Sequence, residues 1–567
     1  MSEDFRKTAP APLAPVAFHL SNPHEEILEN GLRLVIFEDP KLPLVSFRLF
    51  FRMGDSGEPA DAVGLNSALT AMLSEGTENY SSRQLAEEIE RLGAHFSANS
   101  GSDTTSLSAS SLSLYTSDVL RLMAEMILRP TFPEAELDLY RRNTVEGLKF
   151  QRSQANFLAE EQVSRIIYGD HPYSIVSPKA EDVNKLTREM LVAQRDRVFI
   201  PNNGVFIIVG DVERDRVVRE IEEVFAGWEP GEIPRFDFPP IPERTGRSLT
   251  IVDRKGSAQA NIVLANPAFA RPHDDYFRAI VMNQILGAGA SSRIFMNLRE
   301  EKGYTYGAYS KFDLRRLGGA FEATAEVRTA VTADSLKEFF YELNRIRDER
   351  VPENELRDAG NFLTGVFPIR AETQEGLTNF IVQQQVYQLP ADYLQTYRER
   401  IGEVTVEDVA TAARKYVQPD KMAIVIVGDA EEILPQAREY ASDIEIFDTE
   451  GNRLDPADYG RPKAAPAADL TGEWDLKIDF QGQQIPVSLR LQQTDGKLSG
   501  SLESMLGEGV IENGILTGTS FSAVAVTELQ GQRLELSLEG TVETDGLRGS
   551  LSAPMIPMPL DFTGQRK

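Results

Sequence analysis

The sequence predicts an α+β fold: two homologous domains, each a mainly antiparallel sheet packed with helices, then a small C-terminal all-β barrel or sandwich domain. Three observations lead there. The first is a repeat, in which LTREMLVAQRDRVFIPNNGVFIIVGD ends at Asp211 and VTVEDVATAARKYVQPDKMAIVIVGD ends at Asp429. Aligning Gly210 with Gly428 also pairs, without gaps, Thr187 with Thr405, Glu189 with Glu407 and Pro201 with Pro419. Two such units in 567 residues imply duplicated domains rather than a many-repeat solenoid. The second is that strands are followed by helices in each half without regular βαβ alternation. The third is a change of texture after about residue 468, where Trp474, Leu476, Ile478 and Phe480 alternate with polar residues, as do Val487, Leu489 and Leu491 and later Leu534, Leu536 and Leu538.

In order, residues 1–25 read as an extended, proline-rich arm. Asn30-Gly31 turns into two strands, Leu32–Glu38 and Leu44–Met53, the second apolar enough to be central. Gly64–Leu73 reads as a helix burying Leu65, Leu69, Met72 and Leu73. Ser81 caps another, with Gln84 in the capping-box position. Short polar strands fill 96–112, and helices follow at 116–128, 134–151 and 159–168. The first domain spans 26–228, and the proline-rich run 229–247 is a linker. The second domain, 248–450, holds LGAGASSRIFMNLREEKGYTYGAY (286–309), read as a helix stopped at Gly287, a second helix over 292–302 closed by Gly303, and a strand from Tyr304. Its glycines lack the spacing of a dinucleotide or phosphate loop. A second linker covers 451–468 and the β domain 469–567, with turns at Asp495-Gly496 and Asp545-Gly546.

Composition narrows the function. Net charge is −28, which argues against nucleic acid and anionic membranes as partners. The absence of cysteine excludes disulfides, thiolate zinc sites and cysteine nucleophiles. None of the five histidines lies three or four residues from another. No stretch is long and apolar enough to span a membrane, and the N-terminal residues carry no apolar signal-peptide core. The expected location is the cytoplasm, or the periplasm if this start is a trimmed one.

The motifs NGLRLVIFED, GLNSALTAMLSEGT, YGDHPY, FIPNNGVFIIVGD, ILGAGASSRIFMNLREEKGYTYG and VQPDKMAIVIVGD, in that order, resemble the pitrilysin/insulinase family of zinc metallopeptidases, in its two-domain, mitochondrial-processing-peptidase-like branch. The resemblance runs from about residue 27 to 435 and leaves the β tail outside. The family's HxxEH motif puts two zinc-binding histidines one helical turn apart, with a water-activating Glu between them. By resemblance the histidine positions fall on Ser67 and Ala71 and the Glu on Thr70, while the third ligand aligns with Glu146. No metal is therefore expected in this chain.

The resemblance also implies what the chain keeps. In family members built from two kinds of subunit, one supplies HxxEH and the other an Arg/Tyr pair, here Arg299 and Tyr306. A guanidinium and a phenol can both donate to a peptide carbonyl and to the oxyanion it becomes. Read without the family, Arg299 is equally a helix-end cation and Tyr306 a packed strand residue. Ala98, Asn99 and Ser100 match the sheet edge on which the family adds substrate as a strand. The resemblance thus implies a non-catalytic, substrate-binding subunit, with zinc in an HxxEH-bearing partner and peptides as substrate. The alternative is a catalytically dead scaffold member.

Overall fold

The computed structural model describes residues 20–459, 468–480, 483–494, 496–504, 507–529, 532–543, 546–552 and 559–567. It forms two compact units, divided at Gly460/Arg461. The first unit contains two sheets. One is six-stranded, built from β1 (His24–Ile27), β2 (Arg33–Glu38), β3 (Leu44–Phe51), β4 (His95–Ser100), β5 (Thr105–Leu112) and β6 (Gly204–Gly210), in the order β1-β2-β6-β3-β5-β4. The other is seven-stranded, from β7 (Ser248–Asp253), β8 (Gln259–Ala268), β9 (Thr305–Leu314), β10 (Gly319–Arg328), β11 (Ala423–Gly428), β12 (Asp443–Phe447) and β13 (Arg453–Leu454), in the order β13-β12-β7-β11-β8-β10-β9. Pairing is mostly antiparallel; β2 with β6, β11 with β7 and β12 with β7 are parallel.

The repeat occupies equivalent places in the two sheets. Thr187 and Thr405 each cap a helix through the side-chain oxygen, accepting from Met190 N and Asp408 N. Pro201 and Pro419 open the turns that follow, and the closing apolar runs become β6 and β11, buried along their whole length. A strand buried on both faces needs a cover on each, and those covers are exchanged between the halves. One face of the first sheet packs Leu34, Ile36, Phe47, Leu49, Phe206 and Ile208 against its own helices. The other presents Val35, Phe50, Val205, Ile207 and Val209 to Leu377 and Ile381, on the second half's helix Gln374–Val386. Gln374 Nε2 donates to Leu44 O (3.0 Å), and Arg48 pairs with Glu375 (3.2 Å). In return Leu158, Val163 and Ile167, on the first half's helix Ala155–Tyr168, cover Val263, Ala423, Val425 and Val427 of the second sheet.

A third tie is the β9–β10 hairpin tip. The Arg315 guanidinium lies 5.0 Å from the Tyr168 ring and 5.1 Å from that of Tyr173, and it donates to Ser102 Oγ (3.2 Å). Asp103 accepts from the Tyr173 hydroxyl and from Arg316 N (2.9 Å).

Three boundaries differ from the sequence reading. Residues 1–19 of the expected arm lie outside the described residues, and the first sheet already begins at His24, paired to Ile36. The expected linker 451–468 starts late: β13 pairs with β12, and the Tyr459 hydroxyl donates to Asp253 (3.0 Å), so the chain stays with the second sheet to that point. The helix expected over 292–302 is a short α segment, Arg293–Phe295, followed by a π-helix, Met296–Glu301.

The second unit is a closed antiparallel barrel of β14 (Gly472–Phe480), β15 (Gln483–Thr494), β16 (Lys497–Ser504), β17 (Gly507–Thr517), β18 (Ser520–Leu529), β19 (Gln532–Glu543), β20 (Gly546–Ser552) and β21 (Leu560–Arg566), with β21 returning to β14. Trp474, Leu476, Ile478, Val487, Leu489, Leu491, Phe521, Leu538 and Phe562 fill its interior, as the period-2 pattern requires. Asp495 and Asp545 of the two expected turns lie outside the described residues; Gly496 and Gly546 follow them at φ +78° and +158°.

Among the described residues the barrel core draws on those from Leu470 onward, whereas each sheet of the first unit needs a helix from the other half. A chain ending at residue 460 is therefore expected to keep a single cooperative melt. A chain of residues 20–228 alone exposes Val205, Ile207 and Val209, each worth roughly 1.5–3 kcal/mol of burial, and is expected to aggregate. Calorimetry and size exclusion on the two truncations check both outcomes.

Candidate functional site

The stretch 286–309 is held from both ends. The helix Tyr276–Leu286 stops at Gly287, where a Cβ would lie 2.2 Å from Ser310 Oγ and 2.5 Å from Ser310 N, so only glycine allows β9 this close. Asn283 secures the same crossing, donating from Nδ2 to Ser310 O (3.0 Å) and accepting from Ser310 Oγ (2.7 Å). In the π-helix, Lys302 N donates to Asn297 O (3.0 Å), the i→i−5 bond of that geometry. The Asn297 amide in turn donates to Glu338 (3.0 Å) and Glu342 (2.9 Å) on the helix Thr332–Asp348. Gly303, at φ +64°, ends the turn, and Tyr304 N reaches back to Leu298 O (3.0 Å).

This frame fixes the two residues singled out in the sequence. Arg299 lies in the π-helix, half-exposed, with its guanidinium 5.1 Å from the Phe295 ring and paired with Glu300. Tyr306 follows on β9, an edge strand bonded only to β10. Register holds from Leu314 opposite Gly319 to Ala308 opposite Ala325; then Thr305 pairs with Val327, so Tyr306 and Gly307 together oppose Glu326. That is a β-bulge, and bulges re-aim side chains. Thr305 Oγ1 holds it by donating to Glu326 O (2.6 Å) and accepting from Gly307 N (3.1 Å). Tyr306 is left 94% exposed, so it is not a packed strand residue.

The expected substrate edge is β4, which pairs only with β5. Ala98 is half-buried; Asn99 is exposed and accepts from Ser106 Oγ (3.0 Å); Ser100 donates to Asp55 (2.5 Å). His95 begins this edge and is exposed. His171 fixes a turn, its Nδ1 accepting from Tyr173 N (3.1 Å).

The helix Leu65–Ala71 carries Ser67, Thr70 and Ala71, and these do not fit a zinc ion. Thr70 is buried, its hydroxyl turned back on the helix carbonyls of Asn66 and Ser67 (both 3.0 Å), and Ala71 offers no donor atom. Glu146, on the helix Glu134–Arg152, is solvent-exposed and paired with Lys149 (2.7 Å). Among the described residues no group of three or more His, Asp or Glu side chains is placed to hold a metal ion. No helix among them is long and apolar enough to cross a membrane.

What stands beside that helix is a cavity of about 350 Å³ absent from the sequence reading, lined by Asp55, Glu58, Ser67, Glu160, Tyr173 and Arg315. Asp55, Glu58 and Ser67 are close along the chain, and Glu160, Tyr173 and Arg315 join them only in the fold. Glu58 accepts from Gly64 N (2.8 Å) and Asn66 N (2.5 Å), capping the helix from outside. Burial outweighs those bonds and pushes its carboxyl up to about 7. Burial likewise pushes Asp55 up to about 6, against the Ser100 hydrogen bond. Both ordinary values are lower, 3.8 for Asp and 4.5 for Glu, so between them and pH 7 the folded chain holds protons that the unfolded chain releases. The stability these groups contribute is full below about pH 4 and is lost as pH rises through 6 to 7. Asp55→Asn keeps an acceptor for Ser100 and removes one titration, so its Tm should fall less steeply than wild type between pH 4 and 7. Melts across that range measure the slope, and equal slopes would contradict this account.

Comparisons with known proteins agree with this geometry. Residues 33–177 match the family described as Insulinase (Peptidase family M16), and residues 185–363 match the Peptidase M16 inactive domain. An uncharacterized zinc protease of Rickettsia felis is 24% identical over 421 residues, 74% of this chain and 94% of its own length. The non-peptidase homolog YmxG of Helicobacter pylori is 20% identical over 72% of this chain and 94% of its own. Among solved structures, the peptidase M16 inactive domain from Pseudomonas fluorescens superposes with a TM-score of 0.68 at 27% identity, covering 72% of this chain and 98% of that one. The Helicobacter pylori protease does so at 0.68 and 19% identity, over 72% and 100%. The two family matches together span more than half of the sequence, and the chain belongs to the peptidase M16 (insulinase) family.

Proposed function

We propose that this protein is the non-catalytic, substrate-binding subunit of a heteromeric insulinase-family zinc peptidase, and that it contributes Arg299 and Tyr306 to the active site of a homologous, HxxEH-bearing partner. The observation that carries this reading is the treatment of Tyr306. A phenol 94% exposed on an edge strand costs apolar surface in water, and a bulge held by Thr305 aims it there. Arg299 comes from the adjacent π-helix, and both irregularities recur at functional sites. A scaffold has no use for either.

Zinc, in this reading, belongs to the partner, since the residues at 67, 70 and 71 cannot hold it. The chemistry left to this chain is donation. An extended peptide paired along a sheet edge would present its carbonyl to the Arg299 guanidinium and the Tyr306 hydroxyl, which fix the carbonyl and offset charge as it becomes tetrahedral. Main-chain pairing, on β4 or on the partner's equivalent edge, makes recognition broad in sequence. The long helices Glu134–Arg152 and Glu353–Glu372 also expose Leu139, Phe150, Phe362 and Ile369, apolar side chains that a partner or substrate would cover.

Two measurements test the proposal. Metal analysis of the purified chain should find far less than one zinc per molecule; one tightly held zinc would overturn the assignment of the metal to a partner. In the mixed complex, Arg299→Ala and Tyr306→Phe should each lower turnover by on the order of 10²–10³, with assembly and zinc content unchanged. The losses should be less than additive, because both donors serve one carbonyl. Full activity in both variants, with the complex intact by size exclusion, would favour the scaffold reading.

A further inference from the structure

The linker 229–247 walls a cleft. Its segment 233–241, the end of β3, the turn at Asn202 and Asn203 and the β9–β10 hairpin tip enclose about 730 Å³. In a chain of net charge −28, this cleft is lined by Arg52, Arg235 and Arg316 and by no carboxylate.

The charges there are poorly satisfied from within. Arg52 is half-buried, makes no ion pair among the described residues, and its Nε is buried without a hydrogen bond. Burial holds its pKa down, and repulsion from Arg33 and Arg316 adds to that. Arg316 Nε stands 3.8 Å from Asp103 and also lacks a hydrogen bond. Asp103 also accepts from the Tyr173 hydroxyl and from Arg316 N, so its charge is shared among several donors. His171 contributes a further donor: its Nδ1 accepts from Tyr173 N, which puts the ring proton on Nε2, and burial keeps the imidazole neutral. The facing wall is apolar. Phe236 and Phe238 stack with centroids 5.4 Å apart and planes 4° from parallel, beside Ile233, Ile241 and Leu317.

We propose that this cleft binds a small oxyanion, a carboxylate or a phosphate, carried on a planar apolar body. The oxyanion would sit between Arg52 and Arg316, and the body against Phe236 and Phe238. Two guanidinium groups that line one cleft and repel each other, one of them with no ion pair of its own among the described residues, are relieved by an anion that both can bind. Such a ligand touches the first half, the linker and the second half at once, so it fastens the junction between them. The proposal is independent of Arg299 and Tyr306, neither of which lines the cleft.

Titration calorimetry and thermal melts of the full chain with benzoate, phenyl phosphate and inorganic phosphate test it. The expected result is saturable one-site binding of benzoate or phenyl phosphate with a raised Tm; the tighter of the two tells carboxylate from phosphate, and inorganic phosphate binds more weakly than phenyl phosphate. Arg52→Gln and Arg316→Gln should each weaken binding about tenfold or more. Phe238→Leu should weaken the ring-bearing ligands more than inorganic phosphate. Arg83→Gln, on an exposed helix face, should change nothing. Arg316 is partly exposed, so its variant carries the test if Arg52→Gln fails to fold. No saturable binding of any of the three, or binding that survives both arginine variants (an adventitious ion only), would overturn the proposal.

Discussion

The first unit depends on the exchange of helices between its halves. Duplication leaves each half with a strand, β6 or β11, that is apolar on both faces and a set of helices that covers one of them. The helix Gln374–Val386 closes the first sheet and the helix Ala155–Tyr168 closes the second, so neither core is complete until both halves are present. This explains why a proline-rich linker suffices between them. It has only to reach, because the closing free energy is apolar burial elsewhere.

On that rigid base, the departures from regular structure gather in one place. Between Leu286 and Tyr309 the chain holds a helix stop with no room for a Cβ, a π-helix and a β-bulge. Each is held by hydrogen bonds to a neighbouring element: Ser310 to Asn283, Asn297 to Glu338 and Glu342, Thr305 to the Glu326 carbonyl. A site fixed this way keeps its side chains oriented before any ligand arrives, which is what electrostatic stabilisation of a reacting carbonyl requires. The helix Leu65–Ala71 shows the converse. Ser67 and Ala71 stand where the resemblance puts histidines, Thr70 stands at the water-activating position and is bonded to its own helix, and Leu65, Leu69 and Met72 pack in the core.

Much of the architecture was legible because it is written in local chemistry. Thr187 and Thr405 announce their helices by capping, Ser81 and Gln84 form the reciprocal box, and the alternation from Trp474 to Leu538 specifies an inside and an outside. Pattern shows that a face is apolar but not what covers it, so the exchange of helices could not be read. The π-helix and the bulge were invisible for a related reason, since both are set by hydrogen bonds to residues 20 to 45 positions away. The positions of Arg299 and Tyr306 came from motif order, while the exposure of Tyr306 came only from the sheet register. Nothing local marks Asp55 and Glu58 as buried, or the arginines of the cleft as neighbours; three-dimensional closure alone does both.

The C-terminal barrel has a consequence of another kind. The two sheets of the first unit end in strands with one unpaired side, β4 and β9 among them, and can recruit an extended chain through the main chain. The barrel returns β21 to β14 and leaves no such side. Whatever meets this module must read its outward side chains, which among the described residues include Val510 and Ile515 beside polar and charged ones. Recognition there goes through side chains, whereas the open sheet sides offer the main chain. One polypeptide thus carries two surfaces that read a partner by different chemistry.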